Sequence, residues 1–497
     1  MKTAKMFRKI SAILLGALLA AAAVVPAFAA GKTPKGMIVE ETENGAAEYQ
    51  IEHADLLYSI YEKILNHEEE INVMNDEIPV EEYSKLAKSL LSVYPDLFFI
   101  EGSLGASSFS WDGTNYYLYK LFPAYNMDKD ESDAKLSEFY AKADEYLALV
   151  DDSMDEFTKA VVLHEALVQN NRYQVQNSSN YTFMVEGFGR CENYAEVYAY
   201  LLANVGIESE IVGSDEMVHE WMRIHLDGSD YYYNVDVTWD DPTINGIDRP
   251  DRVSHTYFLL SDELLQDPNY STERHYSYGS HNAAGNAYDG YANLHSNKNP
   301  LYYVDGTFYT LYKKQMEDEY GDDRMRAVIA SYDYATDSYT DLYTSTELWH
   351  ADSEWSTWSG NYTSIAQLDG VLYFNGEYNV YTYDIATGEK ATLMENPLNN
   401  GNQLYGLYIQ GDKLYGFSAS SPNENPTAVE LKTLERRFKL GDVDGNGKID
   451  VNDATQIQYY LAELKDETEL HIEAADFNQD GEIDISDATD IQFFINQ

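Results

Sequence analysis

The sequence almost lacks cysteine, since Cys191 is the single one among 497 residues. One cysteine excludes a disulfide within the chain. The thiol is therefore either a small apolar side chain of the core or a reactive group. The residues around Cys191 have to distinguish these two interpretations.

Basic residues are also scarce. The chain has 33 lysine and arginine residues against 85 aspartate and glutamate residues, and its formal net charge at pH 7 is −52. A surface of this charge repels phosphate backbones and anionic lipids, so we expect neither nucleic acid nor a membrane surface as a partner. The same composition favours solubility outside a cell and the binding of cations.

A long apolar run occurs at the N-terminus and does not recur. Basic residues precede the apolar stretch 10–25, and residues 27–29 have the small-x-small pattern of a cleavage site. The stretch is short for a membrane span. Residues 1–29 are therefore interpreted as a secretory signal peptide, and we expect a secreted mature chain that begins near Ala30 or Gly31.

Composition and periodicity change several times along the chain, which predicts a multidomain protein. Apolar residues at helical spacing dominate the first part, and strands rich in tyrosine dominate a later part. The predicted segments are a polar lead-in (30–50), a mixed α+β domain with a helical N-terminal part (51–265), a polar linker (266–299), a β-repeat region (300–437) and a small C-terminal domain (438–497).

Short glycine-containing turns punctuate the β-repeat region. The triplets VDG at 304–306, LDG at 368–370 and IQG at 409–411 each precede a strand rich in aromatic residues. Three imperfect strand-turn-strand repeats favour a propeller-like array of sheets, although three are few for a closed ring. The aromatic residues either pack between strands or bind a sugar, and packing is the more common role.

Two twelve-residue segments near the C-terminus, DVDGNGKIDVND at 442–453 and DFNQDGEIDISD at 476–487, share a pattern of oxygen-bearing side chains. Oxygen ligands at positions one, three, five, nine and twelve, a backbone carbonyl at seven and glycine at six are typical of a calcium loop. Position twelve is aspartate, whereas glutamate is usual in EF-hands. The predicted ligands are Asp442, Asp444, Asn446, Lys448, Asp450 and Asp453 in the first loop, and Asp476, Asn478, Asp480, Glu482, Asp484 and Asp487 in the second, with Lys448 and Glu482 contributing backbone carbonyls.

Similar helical sequences, DATQIQYYL and DATDIQFFI, end the two repeats. This duplicated arrangement, over about residues 440–497, resembles the type I dockerin of the cellulosomes of anaerobic bacteria. The resemblance implies a small α domain with two Ca²⁺ ions that binds a cohesin module of an extracellular scaffold protein. The similar halves imply that either could face the partner. The implied contacts just after each loop are Ala454, Thr455, Ala488 and Thr489.

The residues after Cys191 have helical spacing, and Gly206 is a suitable terminator. Cys191 then lies in the first turn, where free amides and the helix dipole favour an anion and should lower the pKa of the thiol. A thiolate there would be a nucleophile. The apolar face of this predicted helix consists of Tyr194, Tyr198, Leu201, Leu202 and Val205.

A thiol nucleophile needs a base, and a predicted β-hairpin downstream contains two histidines. Segments 220–226 and 231–239 flank Gly228 and Ser229, which favours a two-residue turn. In that register Trp221 pairs with Asp236.

The same register places His219 and Asp236 as diagonal neighbours on one face, within reach of a hydrogen bond. His225 pairs instead with Tyr232, about 13 Å from Asp236 at the rise of a strand. Cys191, His219 and Asp236 are therefore a candidate catalytic triad, with the Cys191 backbone N–H as an oxyanion donor. The alternative is a buried cysteine and an unrelated strand histidine.

The segments GRCENYAEVYAYLLANVGI and HEWMRIHLDGSDYYYNVDVTWDDP resemble the transglutaminase-like superfamily, and YPDLFFI and VVLHEALVQNNRY resemble its bacterial members. The resemblance covers about residues 50–265. It implies a papain-like α+β core in which Cys191, His219 and Asp236 transfer an acyl group through a thioester.

The resemblance also implies the kind of substrate. The acyl donor would be a glutamine carboxamide or a peptide bond, in a protein or peptide that could be associated with plant material or cell walls. The acceptor would be an amine or water. The sequence departs from the family pattern at Asn193, Glu220 and Met222, which puts the substrate preference in question.

Two other functions remain open from the sequence. One is an inactive transglutaminase-like fold that displays its aromatic β region to a polysaccharide or protein. The other is a carbohydrate-active component of polysaccharide degradation, docked on the same scaffold. No pair of catalytic carboxylates stands out among 85 acidic residues. Reactivity of the thiol would distinguish an acyltransferase or cysteine protease from both alternatives.

Overall fold

The computed structural model describes residues 37–39 and 53–495, with gaps at 227, 245, 272–273, 277–282, 318–322, 352–356, 359, 436–438, 463, 466–469 and 479–480. The predicted signal peptide and most of the predicted lead-in lie outside the described residues. The chain divides into two compact units. Among the described residues the larger unit comprises 37–39, 53–367 and 372–432, and the smaller one 368–371 and 433–495.

The first part of the larger unit combines helices with a small antiparallel sheet, whose strand order is given below. Its helices are amphipathic, and the first one buries Leu57, Ile60, Tyr61 and Ile64 at helical spacing. The elements are β1 (Met37–Val39), α1 (Ala54–Leu65), β2 (Ile71–Asn72), α2 (Tyr83–Val93), β3 (Ile100–Phe109), β4 (Tyr117–Tyr125) and α3 (Lys129–Leu147), with sheet order β2-β4-β3.

The central part of the larger unit contains α4 (Glu156–Asn170), β5 (Arg172–Tyr173), α5 (Asn180–Glu186), β6 (Phe188–Gly189), α6 (Cys191–Asn204), β7 (Glu208–Ser214), β8 (His219–His225), β9 (Tyr232–Val235), α7 (Val237–Asp240), β10 (Thr243–Ile244), β11 (Ile247–Asp248) and β12 (Phe258–Leu260). Five strands form a sheet of order β1-β7-β8-β9-β12. Helix α6 packs on β7 and β8, and α4 packs on α6. This sheet and these two helices carry the residues of the candidate site.

The predicted register of the β8–β9 hairpin is confirmed. His225 pairs with Tyr232, and Met222 pairs with Val235. Asp227, which the predicted turn pairs with Asp230, lies outside the described residues.

The predicted length of the second strand is wrong. Strand β9 ends at Val235, so Trp221 does not pair with Asp236. The Asp236 carboxylate instead accepts a hydrogen bond of 3.0 Å from the backbone N–H of Trp239 and caps α7. Aspartate is among the most favourable N-cap residues, and this local bond turns the chain into a helix.

The predicted linker segment 266–299 contributes buried side chains to the larger unit. It follows α8 (Asp262–Leu265) and contains α9 (Ala292–Ser296). Asp289 accepts hydrogen bonds from the backbone N–H and the hydroxyl of Ser261. Polar residues can be buried when they are hydrogen-bonded, so a polar composition does not by itself indicate a linker. The buried polar residues of this segment are His275, His295, Asn297 and Asn299.

The β-repeat region forms three antiparallel sheets of successive strands, and no closed propeller or barrel is shown among the described strands. The first sheet contains β13 (Tyr302–Val304), β14 (Thr307–Glu317), β15 (Asp323–Asp333) and β16 (Ser338–Thr344). The second contains β17 (Ile365–Leu368), β18 (Val371–Asn375), β19 (Val380–Asp384) and β20 (Lys390–Met394), and the third contains β21 (Gln403–Gln410), β22 (Lys413–Ala419) and β23 (Thr427–Thr433).

The glycine-containing triplets form hairpin turns between strands. Asp305 and Gly306 have φ of 46° and 84°, and Asp369 and Gly370 have φ of 50° and 73°. Positive φ at two successive positions is typical of the type I′ turn, whose twist suits a β-hairpin. Many aromatic residues between these turns are buried and pack with aliphatic ones, as in the cluster of Leu311, Ala327, Ile329, Ile365, Leu372, Phe374, Tyr381 and Tyr383.

The smaller unit contains α10 (Val451–Leu461) and α11 (Ile485–Phe494), which pack on each other. Each helix begins at the end of a predicted calcium loop and is capped by the aspartate at loop position nine, Asp450 or Asp484. The chain is thus a multidomain α+β protein with many antiparallel sheets. No helix in the described part of the chain is long and apolar enough to cross a membrane.

Candidate functional site

Cys191 is the first residue of α6 and is half-buried. The loop before it comes very close to neighbouring residues. A Cβ on Gly189 would lie 2.7 Å from Phe183 Cδ2 and 2.9 Å from Asn193 Cβ, so a side chain at this position would force a shift. Gly187 has φ of 74°, which glycine adopts at low cost. These two glycines let the chain enter α6 with the thiol at its first turn.

Asn193 has a structural role at the start of α6. Its side-chain oxygen accepts a hydrogen bond of 3.1 Å from the backbone N–H of Arg190, and its amide donates to Asn180 Oδ1 at 2.8 Å. Asn193 is one of the positions where the sequence departs from the transglutaminase-like pattern. The residue therefore stabilises the helix start that carries Cys191.

His219 and Asp236 lie together beside Cys191. His219 begins β8, Asp236 directly follows β9, and the pairing of these strands brings the two residues to the same end of the sheet. His219 Nε2 and Asp236 Oδ2 are 2.6 Å apart, and both side chains are nearly inaccessible to solvent. The structure thus brings the predicted His219–Asp236 pair together, although Asp236 reaches it from a helix cap.

Electrostatics favour a charged His219–Asp236 pair. Burial lowers the pKa of His219, but the Asp236 carboxylate and a side-chain hydrogen bond with the Cys191 thiol together raise it to about 10. Burial raises the pKa of Asp236, but His219 and a second histidine, His275, hold it well below its usual range. Because Nε2 of His219 faces Asp236, Nδ1 is the ring nitrogen available to the thiol.

Two tryptophans hold the imidazole of His219 in place. The ring centroid of Trp239 lies 5.1 Å from that of His219, with 18° between the planes, and the Trp221 centroid lies 5.9 Å away at 19°. Trp239 belongs to α7 and Trp221 to β8, so the elements that position the histidine also orient its ring.

His275 is a member of the site that the sequence reasoning missed. Its Nε2 lies 2.7 Å from Asp236 Oδ2, the same oxygen that faces His219, and its side chain is fully buried. His275 falls in the segment predicted as a linker, and no local pattern marks it. His225, in contrast, contacts the carbonyl of Ser229 at 2.9 Å, in agreement with its predicted exclusion from the triad.

Acidic residues surround the thiol side of the site. Burial, followed by the charge of Glu192, raises the pKa of Glu220, and burial raises the pKa of Glu196 well above its usual range. Arg190 forms an ion pair with Glu192. Carboxyl groups and one arginine therefore lie near the start of α6, which carries Cys191.

The predicted calcium loops bring carboxylates together in the smaller unit. Oxygens of Asp442, Asp444 and Asp453 lie within 4.8 Å of one another, and Asp442 Oδ1 is buried without a hydrogen-bond partner. Burial raises the pKa of all three, to about 6 for Asp453. A Ca²⁺ ion fits this set, because it offers positive charge to crowded oxygens that protein groups do not satisfy. Asn446, Lys448 and Asp450 lie in the same loop.

The second loop repeats contacts of the first. The backbone N–H of Gly481 donates to Asp476 Oδ2 at 2.9 Å, as Gly447 does to Asp442 Oδ2. The N–H of Asn478 donates to Asp487 Oδ1 at 3.1 Å. Glu482 and Asp484 lie in this loop, whereas Asp480 lies outside the described residues.

Two of the four residues predicted to contact a partner are buried. Ala454 and Ala488 are 0% and 1% exposed, in the core between α10 and α11. Alanine is small and apolar, and at these positions it allows the two helices to pack closely, so a partner cannot reach either side chain directly. Thr455 is half-buried and Thr489 is exposed.

Comparison with known proteins identifies the smaller unit. A family model, the dockerin type I domain, matches residues 440–496. No curated protein matches the sequence.

One solved structure with some similarity comes from Parabacteroides distasonis and is described as a candidate protease. It is 15% identical, with a TM-score of 0.16, and the match covers 27% of this chain and 39% of the other. The chain thus spans well under half of that protein, and a likeness this weak says nothing about the larger unit.

Three observations indicate the same kind of domain: the duplicated loops, the helices that follow them and the family match. Residues 440–496 of this chain form a type I dockerin domain, which binds calcium through its paired loops and docks onto a cohesin module.

Proposed function

We propose that the larger unit contains a transglutaminase-like, papain-like core that transfers acyl groups through Cys191. The observation that carries this proposal is that Cys191, at the start of α6, lies close enough to His219 to help raise its pKa, and that His219 Nε2 lies 2.6 Å from Oδ2 of the buried Asp236. Such an arrangement is what activation of a thiol requires: a nucleophile, a base and a carboxylate that orients the base.

The reaction would begin from the ion pair in which Nδ1 of the charged His219 already holds the proton given up by Cys191. The thiolate attacks the carbonyl carbon of a glutamine carboxamide or a peptide bond, and the oxyanion accepts a hydrogen bond from the Cys191 backbone N–H, which has no intrahelical acceptor. The amide C–N bond then breaks, ammonia or an amine leaves with the proton from His219, and a thioester remains.

The second half of the reaction would release the acyl group. Water or an amine gives a proton to His219 and attacks the thioester, and the C–S bond breaks. Water yields deamidation or proteolysis, and an amine yields a cross-link. Asp236 stabilises the imidazolium in both halves.

The dockerin implies attachment to a cohesin of a cellulosome-type scaffold. We propose that it places the acyltransfer site next to protein or peptide substrates outside the cell, where the N-terminal signal peptide would send the chain.

Thiol labelling tests the enzymatic part directly. Because Cys191 is the only cysteine, the rate of alkylation of the full chain reports on this residue alone. We expect native Cys191 to react faster than free cysteine below neutral pH, and His219→Ala to slow the reaction about tenfold or more. His225→Ala is the matched control and should react like the native chain. Labelling no faster than that of free cysteine would reject the proposal.

Mass spectrometry of glutamine-containing peptides separates the possible acceptors. Native protein and Cys191→Ala are incubated with the peptides, with and without a primary amine. Deamidation, cross-linking or cleavage by the native chain alone would assign the reaction. Reactive thiol without any of these products would show that peptide amides are not the substrate.

A further inference from the structure

A second cluster of buried titratable side chains lies in the larger unit, apart from the thiol. His164 and Glu165 are neighbours in α4, Asp240 is the last residue of α7, and His255 lies between β11 and β12. One ligand atom from each of His164, Glu165 and His255 lies within 4.8 Å of the others. His164 Nε2 is 3.4 Å from Asp240 Oδ2.

Several polar atoms of this cluster have no hydrogen-bond partner. Both ring nitrogens of His164, Glu165 Oε2 and Asp240 Oδ2 are buried and make no hydrogen bond. The four residues are at most 3% exposed. Buried polar atoms are normally satisfied, so several orphans at one point indicate a group that satisfies them all.

Other polar atoms of the cluster have backbone hydrogen-bond partners of the kind that orient metal ligands. His255 Nδ1 lies 3.2 Å from the carbonyl of Asn297, where it donates its N–H, and Nε2 faces Glu165, so that loss of the Nε2 proton to a bound metal would leave a lone pair at the site. Asp240 Oδ1 accepts a hydrogen bond from the N–H of Tyr257 at 3.0 Å, which leaves Oδ2 free. Metal-binding histidines and carboxylates commonly have such backbone partners on the atom that does not face the metal.

The spacing suits a small tetrahedral ion. Metal–ligand bonds near 2.0–2.1 Å place neighbouring ligand atoms about 3.3 Å apart, close to the 3.4 Å between His164 Nε2 and Asp240 Oδ2. His255 Nε2 and Glu165 Oε1 are 2.5 Å apart, which is closer than that edge. Glu165 would therefore bind through its unpaired Oε2 or move by less than one ångström.

We propose that His164, Glu165 and His255 bind one divalent transition-metal ion of the zinc type, with the Asp240 carboxylate beside His164. Two neutral imidazoles and two carboxylates would balance the charge of a divalent ion in this solvent-free site. Calcium, which prefers six or more oxygen ligands, does not suit the two histidines, so this ion differs from those of the dockerin.

The ion would act as a structural brace. Asp240 ends α7, and its N–H donates to the carbonyl of Asp236, the residue that caps the start of the same helix. With His164 fixed by the metal, its contact with Asp240 would tie α7 to α4 and hold the short segment from which Asp236 reaches His219.

The other histidine cluster of the described residues, His219, Asp236 and His275, is also spaced for a metal. There, however, Asp236 Oδ2 already faces both imidazoles at hydrogen-bond distance. Among its fully buried side-chain atoms in the described residues, only His275 Nδ1 lacks a hydrogen-bond partner. This difference favours the His164 cluster and gives the experiment its internal control.

Metal content of the full chain tests the proposal. The protein is prepared without a polyhistidine tag, kept in excess Ca²⁺ to load the dockerin, exposed to Zn²⁺, dialysed and analysed by elemental mass spectrometry. We expect about one zinc per native chain, as for a closed structural site. His164→Gln and His255→Gln should lose it, whereas His225→Gln and His275→Gln should retain it. Loss in His275→Gln with retention in His164→Gln would overturn the assignment.

A second measurement does not depend on the folding of variants. Metal is first removed from the native chain with a nitrogen chelator that prefers zinc over calcium, and the chain is then titrated with Co²⁺. We expect visible absorption of the intensity that is typical of tetrahedral Co²⁺. The chelator should also lower the melting temperature of the larger unit while Ca²⁺ remains in excess. Failure of the native chain to take up either Zn²⁺ or Co²⁺ would refute the metal site. The cluster would then be explained by a proton shared between His255 and Glu165.

Discussion

At the scale of single residues, the Asp236 carboxylate joins three parts of the candidate site. One of its oxygens caps α7, and the other faces both His219 and His275. Because this one carboxylate caps a helix and contacts both the proposed catalytic base and a second histidine, its removal should lower both the stability of the larger unit and the proposed activity.

Replacing Asp236 by asparagine should leave the helix cap largely intact, because asparagine is an equally good N-cap. It should nevertheless lower acyl transfer by about 10²–10⁴-fold, because the amide does not stabilise the imidazolium of His219. Turnover of a peptide substrate and alkylation of Cys191 measure this loss. The exposed Asp230 provides the control, and equal losses in Asp230→Asn and Asp236→Asn would contradict the assigned role.

The raised pKa of His219 predicts a pH dependence of stability. The pKa rises from 6.5 to about 10 on folding, so the charged imidazole stabilises the native state fully below pH 6.5, and this contribution is lost as the pH rises toward 10. The difference in free energy of unfolding between native chain and His219→Gln should therefore shrink by about 1 kcal/mol or more over that range.

Denaturant unfolding of the larger unit at several pH values measures this difference. His225→Gln is the matched control, because its imidazole contacts a backbone carbonyl and not a carboxylate. A native-to-variant difference that stays constant from pH 6.5 to 10 would show that His219 and Asp236 are not a charged pair.

At the scale of elements, the start of α6 and the end of β9 decide the geometry of the site. Helical spacing after Cys191 correctly predicts a helix that begins near the thiol, and the two-residue turn correctly predicts the register of β8 and β9. The end of β9 was not predictable from alternation alone. At Asp236 a capping hydrogen bond competes with strand pairing, and the cap prevails.

Gly189 should be intolerant of any side chain. An added Cβ would come within 3 Å of Phe183 and Asn193, which belong to α5 and α6. We expect Gly189→Ala to destabilise the larger unit by about 1–3 kcal/mol through overpacking, and to slow alkylation of Cys191.

The matched control for this prediction is Gly290→Ala. A Cβ there meets nothing within 4 Å, and its φ is not in the left-handed range. Its effect should stay within about 1 kcal/mol and could be stabilising, because alanine restricts the unfolded chain. Similar melting temperatures for the two variants would show that Phe183 and Asn193 leave room for a Cβ at position 189.

At the scale of the whole molecule, the chain consists of two compact units that hold their charged side chains in different ways. The dockerin gathers carboxylates that Ca²⁺ must neutralise, whereas the larger unit holds its charges in ion pairs and hydrogen bonds. The stability of the two units should therefore respond differently to calcium.

Calorimetry of the full chain should show two melting transitions in excess Ca²⁺. Chelation of Ca²⁺ should abolish or strongly lower the transition of the smaller unit and leave that of the larger one within a few degrees, because calcium binding contributes folding free energy only where its ligands lie. Binding to a cohesin should be lost in parallel. Asp442→Ala combined with Asp476→Ala should reproduce the effect in Ca²⁺, and cohesin binding that survives chelation would contradict it.

The sequence by itself determined the features that depend on local residues. A calcium loop needs its ligands and its glycine within twelve residues, a helix start is encoded by the residues around Cys191, and a hairpin register follows from its turn. Only the tertiary structure decided which distant side chains meet. It brought His275 to Asp236, gathered His164 and Glu165 with Asp240 and His255, and buried Ala454 and Ala488, because packing of elements far apart in the chain leaves no periodic trace in the sequence.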